Sequence, residues 1–223
     1  MEEREAKERL LEAVLGHVPF DGWSETSFAA AIADSGVAPG LARALFPRGG
    51  LDLALAWHRA GDAEMARRLA AEDLSGLRFR DRVARAVLLR LELADREAVR
   101  RGTALFALPQ NAGVGAGALW GTADAIWTAL GDRSDDLNWY SERASLAAVH
   151  GATVLYWLGD DSPGHAATRD FLDRRIEGVM RFEKLKAGLA ENPLGRMLAA
   201  GPLKFLGRIR PPARPEGFPG RNS

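Results

Sequence analysis

The stretch that decides the fold is residues 24–47, which read SETSFAAAIADSGVAPGLARALFP. Ser24 is a good helix N-cap, and apolar residues at helical spacing follow it. Gly36 then predicts a sharp turn, and Pro39 is well placed as the first residue of a second short helix that ends near residue 47. Two short helices joined by a tight glycine-containing turn indicate a helix-turn-helix.

The rest of the chain is also predicted to be helical, because β-branched residues are scarce and alanine, leucine, arginine and glutamate abound. Residues 3–16 predict a first helix and residues 17–23 a turn, so that residues 1–50 form a three-helix unit. Residues 51–190 predict a larger helical bundle. Its helices are expected at 51–73, 78–101, 111–130, from Asp135 or Asp136 to Leu158, and from about 162 to 189. The fold class is all-α.

The composition argues against several kinds of chemistry. The 223 residues include no cysteine and four histidines, and no two histidines share a helical ligand spacing. The chain has no nucleophile elbow, no phosphate-binding loop and no zinc-protease motif. The sequence therefore predicts no metal site, no cofactor and no enzymatic activity.

A basic, amphipathic segment follows the bundle. Residues 192–223 carry six basic residues against Glu216 alone, a net charge of +5 in a chain of zero net charge. Residues 191–211 place apolar side chains on one helical face and basic ones on the other, a pattern typical of a helix that lies on a membrane surface. Pro202 is expected to break this helix into two segments. The alternative is that the apolar face packs on the protein's own bundle, and residues 212–223 are predicted to be disordered. The expected membrane contacts are Leu194, Met197, Leu198, Lys204, Phe205, Leu206, Arg208 and Ile209.

The N-terminal residues and the hydropathy suggest where the protein works. Residues 1–16 are too charged for a signal peptide and too acidic for a transit peptide, and no apolar run approaches the 18 residues of a membrane span. We therefore expect a cytoplasmic protein that is peripheral on the inner membrane.

A helix-turn-helix unit before an apolar bundle is the layout of TetR-type regulators. The segment that would enter the major groove, residues 37–48, offers only Arg43 and Arg48 and no amide or hydroxyl side chain. The first helix is acidic and would repel phosphate. We therefore expect no nucleic-acid partner, and a ligand-sensing TetR-type regulator remains the alternative function.

Two segments of the bundle have unusual compositions. Residues 112–118 hold only small residues and a valine, which either let another helix approach closely, the favoured interpretation, or leave a hollow beside large aromatics. Trp139 and Tyr140 are adjacent near the start of a helix. Either they form an exposed protein-binding hot spot, or both rings are buried under the preceding loop.

Stretches spread over most of the chain resemble the Coq-nine family, TetR-like accessory proteins of ubiquinone biosynthesis that do not bind DNA. Their order and spacing are specific to the family. The stretches are residues 19–24, 46–47, 105–111, 122–127, 131–132, 137–140 with Arg143, and 161–163 with 171–172 and Arg174.

The resemblance implies a homodimer that binds an isoprenoid quinone intermediate or a phospholipid and assists the membrane-associated demethoxyubiquinone hydroxylase. The sequence departs from the family in the glycines of residues 112–118 and in Glu142 beside Arg143. The partner-binding patch is expected at Asp124, Ile126, Trp127, Asp136, Trp139, Tyr140 and Arg143. The lipid pocket is expected at Leu119, Trp120, Leu146, Val149 and Val154.

Overall fold

A computed structural model describes residues 3–131 and 137–191, without the side chains of residues 137–138 and 182–191, and shows no strand in these ranges. The chain begins with four helices. They are α1 (Glu3–Leu15), α2 (Val18–Asp21), α3 (Glu25–Ser35) and α4 (Pro39–Leu45). The all-α prediction is confirmed.

The helix-turn-helix forms as the sequence predicts. The Ser24 hydroxyl accepts the backbone N–H of Ser27 at 3.2 Å, and the Ser24 N–H donates to the Ser27 hydroxyl at 2.9 Å, so both ends of a capping box are present. Gly36 follows α3 at φ 64°, a left-handed conformation that favours glycine, and Pro39 opens α4. The prediction of a plain turn over residues 17–23 is wrong, because the four-residue helix α2 lies within it.

Six further helices follow within the described residues, and two of them begin after a single 3-10 turn. They are α5 (Gly50–Leu69), α6 (Phe79–Glu92), α7 (Arg96–Phe106), α8 (Ala112–Ala129), α9 (Leu137–Leu158) and α10 (Ala166–Glu191). Helix α8 packs between α5 and α9, and α10 packs against α9 and α6. The 3-10 turns are Pro109–Asn111 and Pro163–His165.

The single helix predicted over residues 78–101 is in fact two helices, α6 and α7. Asp95 caps the second: its carboxylate accepts the backbone N–H of Ala98 at 2.7 Å. A side-chain cap favours the start of a new helix over continuation of the previous one. The helical spacing of apolar residues continues through residues 93–95, so this pattern does not reveal the break between the two helices. The chain therefore turns at residues 93–95.

The buried side chains form two main clusters. One joins α1, α3 and α4 to Leu53 and Ala54 of α5 and to Ala98 of α7. Trp23 ties these parts together, since its indole N–H donates to the Ala98 carbonyl at 3.0 Å. The other cluster fills the space between α5, α6, α8, α9 and α10. The first cluster thus crosses residue 50, where the sequence placed a domain boundary.

Candidate functional site

A cavity of about 500 Å³ lies among α5, α6, α7, α8 and α9, with Trp23 contributing from the segment before α3. Its wall is mostly apolar, as is usual for small-molecule sites of this size. The large apolar side chains in the wall are Trp23, Trp57, Leu91, Val99, Phe106, Leu119, Val154 and Leu155, and the remaining apolar positions are mainly alanine and glycine.

The small residues of α8 serve both purposes considered from the sequence. A Cβ on Gly115 would lie 2.9 Å from the Cβ of Phe106, so glycine is needed there for close approach of the preceding segment. Ala112, Ala116 and Ala118 instead line the cavity. A Cβ on Gly113 would meet no atom within 4 Å. Close packing and a hollow therefore occur side by side.

The mouth of the cavity is apolar. Leu155 lines the wall and is 62% exposed, which is high for a leucine side chain. Ala107, Ala112, Ala116 and Ala148 are also both exposed and part of the lining. The lining residues that are exposed are therefore uncharged among the described residues.

A buried network of polar side chains adjoins the wall. The Arg90 guanidinium Nε donates to Asp62 at 2.7 Å, and both residues are buried. The Thr122 hydroxyl lies 3.0 Å and 3.1 Å from the two Asp62 carboxylate oxygens and 2.8 Å from the His58 Nε2. Arg90 also donates to the His58 carbonyl at 3.1 Å. The charges of Arg90 and Asp62 thus neutralise each other.

His150 also belongs to the polar part of the wall, with His58, Arg90 and Thr103. It is 1% exposed and lines the cavity, and its Nδ1 has no hydrogen-bond partner among the described residues. Burial, together with the positive charge of Arg90 and the proximity of His58, lowers the His150 pKa from 6.5 to about 3. Burial also lowers the pKa of His58, against the opposing effect of Asp62. Both rings are therefore neutral near pH 7.

Gly61 makes room for the buried arginine. A Cβ at this position would lie 2.7 Å from the Arg90 Cζ and within 3 Å of both of its terminal nitrogens. The guanidinium therefore crosses α5 directly over Gly61 to reach Asp62.

Two of the five residues predicted for a lipid pocket lie in the wall of this cavity. Leu119 and Val154 line the cavity, whereas Trp120, Leu146 and Val149 do not. Leu146 and Val149 are wrong because they face the other side of α9, where they are buried in the second core cluster. Trp120 is wrong because its ring packs against the aromatic pair of α9.

Sequence reasoning missed most of the wall. Trp23, Trp57, Phe106, His58, Arg90 and His150 all contribute to it. The one local signal was the spacing of His58 and Asp62, which lie one helical turn apart. The other members come from separate helices.

Three aromatic side chains form one group on α8 and α9, which we call the aromatic face: Trp120, Trp139 and Tyr140. The Trp139 and Tyr140 rings meet edge to face at 4.8 Å, and Trp120 lies 5.8 Å from Trp139 and 6.2 Å from Tyr140. All three are partly exposed.

Beneath this face, Arg143 is fully buried. Its guanidinium Nε donates to Asp124 at 2.6 Å, and its Cζ lies 4.1 Å above the Trp139 ring. The expectation that Arg143 itself contacts a partner is therefore wrong, because its side chain is fully buried and packs against the inner face of the Trp139 ring.

Two further members of the predicted patch lie elsewhere. Ile126 is fully buried in the second core cluster, so its assignment to a contact surface is wrong. Trp127 is partly exposed and stacks on Phe79 of α6, with ring centroids 5.4 Å apart. Asp136 and all the predicted membrane contacts, residues 194–209, lie outside the described residues.

Both arginines of the helix-turn-helix segment are paired. Arg43 donates to Glu25 at 2.7 Å, which lowers the pKa of that carboxyl, and the Arg43 Cζ lies 4.6 Å from the Phe28 ring. Arg48 lies 2.6 Å from Asp52. A phosphate group would have to compete with an acid at each position.

The described residues hold neither a metal-binding cluster nor a membrane-spanning helix. Within residues 3–131 and 137–191, no three histidine, aspartate or glutamate side chains are grouped so as to hold a metal ion. No helix in these ranges is both long enough and apolar enough to cross a bilayer.

The architecture is that of the TetR regulators. A TetR transcriptional regulator from Nitrosomonas europaea superimposes with a TM-score of 0.61, covering 77% of this chain and 95% of that one. The two sequences are 18% identical, so the similarity concerns the fold alone. The predicted TetR-like fold is confirmed.

The sequence comparisons are more specific. A family model described as COQ9 matches residues 112–183, which contain α8, α9 and much of α10. The ubiquinone biosynthesis protein coq9 of Schizosaccharomyces pombe is 30% identical, over 83% of this chain and 74% of that protein. The COQ9 proteins of Drosophila melanogaster and Homo sapiens are 31% and 30% identical, over 79% and 81% of this chain.

This chain belongs to the COQ9 family, which confirms the resemblance to the Coq-nine proteins. All three relatives carry the name ubiquinone biosynthesis protein and are described as mitochondrial. The chain spans 56% of the fly protein and 59% of the human one.

Proposed function

We propose that this protein binds an isoprenoid quinone intermediate of ubiquinone biosynthesis and presents it to the demethoxyubiquinone hydroxylase at a membrane surface, without catalysing a reaction itself. The observation that carries the proposal is the apolar cavity with its apolar mouth, in a member of the COQ9 family. Transfer of an isoprenoid chain from water into an apolar cavity is favourable by about 0.8 kcal/mol for each CH₂ group that is buried. A protein-lined cavity gives such a chain an apolar route to an enzyme.

The size of the cavity limits what can be inside. A volume of about 500 Å³ lies within the range of roughly 300–1,000 Å³ that is usual for small-molecule sites. This accommodates a substituted ring with a short stretch of chain. The remainder of a long isoprenoid therefore leaves through the mouth beside Leu155, where the lipid stays accessible to a membrane or an enzyme.

A pair of matched variants tests lipid binding. Ala116 lines the mouth, and a tryptophan in its place fills that opening. Gly117 is the next residue and is exposed, and a Cβ added there would meet no atom within 4 Å. We expect Ala116→Trp to weaken binding of a farnesyl-substituted benzoquinone at least tenfold and Gly117→Trp to bind like the parent. Equal affinities in all three proteins would contradict the proposal.

We place the docking site for the hydroxylase on the aromatic face. Tryptophan and tyrosine dominate protein-binding hot spots, and here three such rings are partly exposed and supported from below by the Arg143–Asp124 pair. Truncation of a hot-spot residue typically costs 2 kcal/mol or more, about thirtyfold in affinity. Tyr140→Ala should therefore reduce co-precipitation of the hydroxylase strongly.

The control for this experiment is Tyr156→Ala. Tyr156 lies on the same helix, is 39% exposed and stacks on Phe171 at 4.4 Å, remote from the aromatic face. If Tyr140→Ala folds and retains the hydroxylase as well as Tyr156→Ala does, the docking site lies elsewhere.

We further propose that residues 191–211 lie on the membrane and that the working form is a homodimer. The support is the charge and apolar pattern of the sequence, since residues 192–223 lie outside the described part of the chain. A chain truncated after Glu191 should lose flotation with anionic liposomes. Unchanged flotation would exclude the segment as the membrane contact, and sedimentation equilibrium measures the dimer.

The TetR-like fold favours a second candidate, a ligand-sensing transcriptional regulator. The pairing of Arg43 with Glu25 and of Arg48 with Asp52 argues against it, because groove-binding helices present free cations to phosphate. A gel-shift experiment with genomic fragments at low salt separates the two functions. Sequence-specific retardation would support the regulator, and its absence the lipid-binding protein.

A further inference from the structure

A second cavity, of about 350 Å³, lies where the ends of α6 and α9 meet the starts of α7 and α10. It shares Leu91 and Ala94 with the wall of the larger cavity, and Leu88 and Trp157 add further apolar surface. Its polar lining residues are Glu92, Arg96, His165, Thr168 and Arg169. A wall that is apolar in one part and charged in another suits a small ligand with an apolar body and a charged end.

The charged side chains of this wall are two arginines and one glutamate. Arg169 is exposed, and it forms no ion pair with any carboxylate of the described residues. The Glu92 carboxylate is bound by Arg85 at 3.0 Å, and because Arg85 also binds Glu72, the charge of Glu92 is partly neutralised. The positive charge of Arg169 is therefore the least compensated charge in the wall.

The second arginine of the wall, Arg96, is fixed by the end of α9. Its Nη2 donates to the carbonyl oxygens of Leu158 and Asp160 at 3.0 Å and 2.9 Å. Its acidic neighbour, Asp161, lies 3.4 Å away with a side chain that is 93% exposed, so solvent screens this pair. The Arg96 Nη1 makes no hydrogen bond to the described residues. A positioned guanidinium with an unused N–H group thus lines the cavity.

His165 enters the wall from a strained turn. It has a φ of 54°, which is uncommon for a residue with a side chain and persists only where the surroundings fix it. Its Nδ1 lies 3.2 Å from the Asp160 carbonyl, and because a carbonyl can only accept, this nitrogen is the donor. The His165 Nε2 has no partner among the described residues. The turn therefore leaves one ring nitrogen for another molecule.

We propose that the second cavity binds a small oxyanion on an apolar body, a carboxylate or a phosphate monoester attached to an aromatic or short aliphatic group. The oxyanion contacts Arg169 and Arg96, since guanidinium groups match the geometry of both acids. The apolar body packs against Trp157 and Leu88. This inference does not depend on the proposed lipid binding, because it concerns a different cavity.

Neighbouring groups leave this role to the side chains. The first backbone N–H groups of α10 are already bound: that of Ala167 donates to Ser162 at 3.0 Å, and that of Thr168 donates to Asp160 at 2.9 Å. The Asp160 carboxylate also accepts the Thr168 hydroxyl at 2.6 Å. Asp160 is thus engaged by the turn and by α10, and the start of the helix offers no free donor at these two positions.

Three probes of similar size test the proposal on the full chain. They are phenyl phosphate, benzoate and the uncharged benzyl alcohol, each measured by equilibrium dialysis at low ionic strength. At least one anion should bind ten times more tightly than benzyl alcohol, since hydrogen bonds to charged groups are the stronger ones. Added salt should weaken the anion and leave benzyl alcohol unchanged. Equal binding of all three probes, or no binding of either anion at millimolar concentration, would overturn the inference.

Variants assign the anion to the second cavity. Arg169→Gln should weaken anion binding by roughly two- to fivefold, the range of an exposed ion pair. The control is Arg175→Gln, the same change at an exposed arginine of α10 that lies over Phe171, outside the cavity wall. Equal anion affinities in these two variants would refute the role of Arg169.

A further variant separates the two cavities. Ala116→Trp narrows the mouth of the larger cavity and should leave anion binding unchanged, whereas Arg169→Gln should leave binding of a farnesyl benzoquinone unchanged. Loss of anion binding in Ala116→Trp would place the anion in the larger cavity and overturn the inference. Failure of the quinone alone to bind would contradict the proposed function and not the second site.

Discussion

Removal of the negative charge beside Arg90 is expected to destabilise the fold severely. In Asp62→Asn the guanidinium stays 4% exposed but loses the carboxylate at 2.7 Å, and Thr122 loses its charged acceptor. Breaking a buried ion pair from one side typically costs about 3–5 kcal/mol. For a chain of this length each kcal/mol lowers the melting temperature by roughly 2–4 °C, so we expect a decrease of about 6–20 °C.

Thermal unfolding followed by circular dichroism measures this effect. The control is Glu64→Gln, the same acid-to-amide change on the same helix, where Glu64 pairs with Arg67 and Arg68 at the surface. This control should unfold close to the parent, because solvent screens exposed pairs. Asp62→Leu combined with Arg90→Met should recover much of the loss, since it leaves no buried charge. A melting temperature for Asp62→Asn equal to that of Glu64→Gln would refute the argument.

Two glycines and a histidine of the same region give further predictions. Gly61→Ala should destabilise the protein, because its Cβ would lie 2.7 Å from the Arg90 Cζ. Gly113→Ala should stabilise the protein by roughly 0.5–1 kcal/mol, because that Cβ meets no atom within 4 Å and alanine favours the helix. Urea unfolding of both variants measures whether the two changes in stability have opposite signs. The His150 pKa falls from 6.5 to about 3 on folding, so between these pH values the unfolded chain binds a proton that the folded chain does not. The free energy of unfolding should therefore decrease as the pH drops from 6.5 towards 3, by up to ~1.4 kcal/mol per pH unit. His150→Phe should flatten that dependence between pH 6.5 and 5, and an unchanged slope would show that the ring is protonated in the folded state.

The helix-turn-helix could be predicted because its determinants are local. Ser24 reaches a backbone group three residues away, and Gly36 and Pro39 act on their own backbone. The break between α6 and α7 could not be found in the same way. The helical spacing of apolar residues continues through the break, and the signal for a new helix start is Asp95. Aspartate also occurs on the surface of uninterrupted helices, so this residue alone does not predict a break.

The cavity could not be predicted because its wall is assembled from distant helices. Asp62 and Arg90 are 28 residues apart in sequence, and Asp62 and Thr122 are 60 apart. No periodicity relates such positions, so the sequence indicated a pocket only through the small residues of 112–118, where a hollow was the less favoured interpretation, and through the family resemblance. The prediction placed Trp120 in the pocket, whereas the structure packs that ring 5.8 Å from Trp139, on the aromatic face.

Burial also separated residues that the resemblance had grouped together. Ile126 and Trp127 are neighbours in sequence, yet one is fully buried and the other is partly exposed against Phe79. Adjacent residues of a helix point about 100° apart, so a surface patch rarely contains a consecutive pair. Trp139 and Tyr140 are an exception, because Trp120 contacts both rings.

The measurement that tests the central claim most directly is photo-crosslinking with a farnesyl benzoquinone that carries a diazirine on its chain, followed by peptide mass spectrometry of the full chain. If the lipid lies in the cavity with its chain directed through the mouth, the adducts should fall on residues 102–107, 112–119 and 147–155, and Ala116→Trp should abolish them. Adducts confined to residues 192–223, or distributed over the surface and insensitive to Ala116→Trp, would contradict the account.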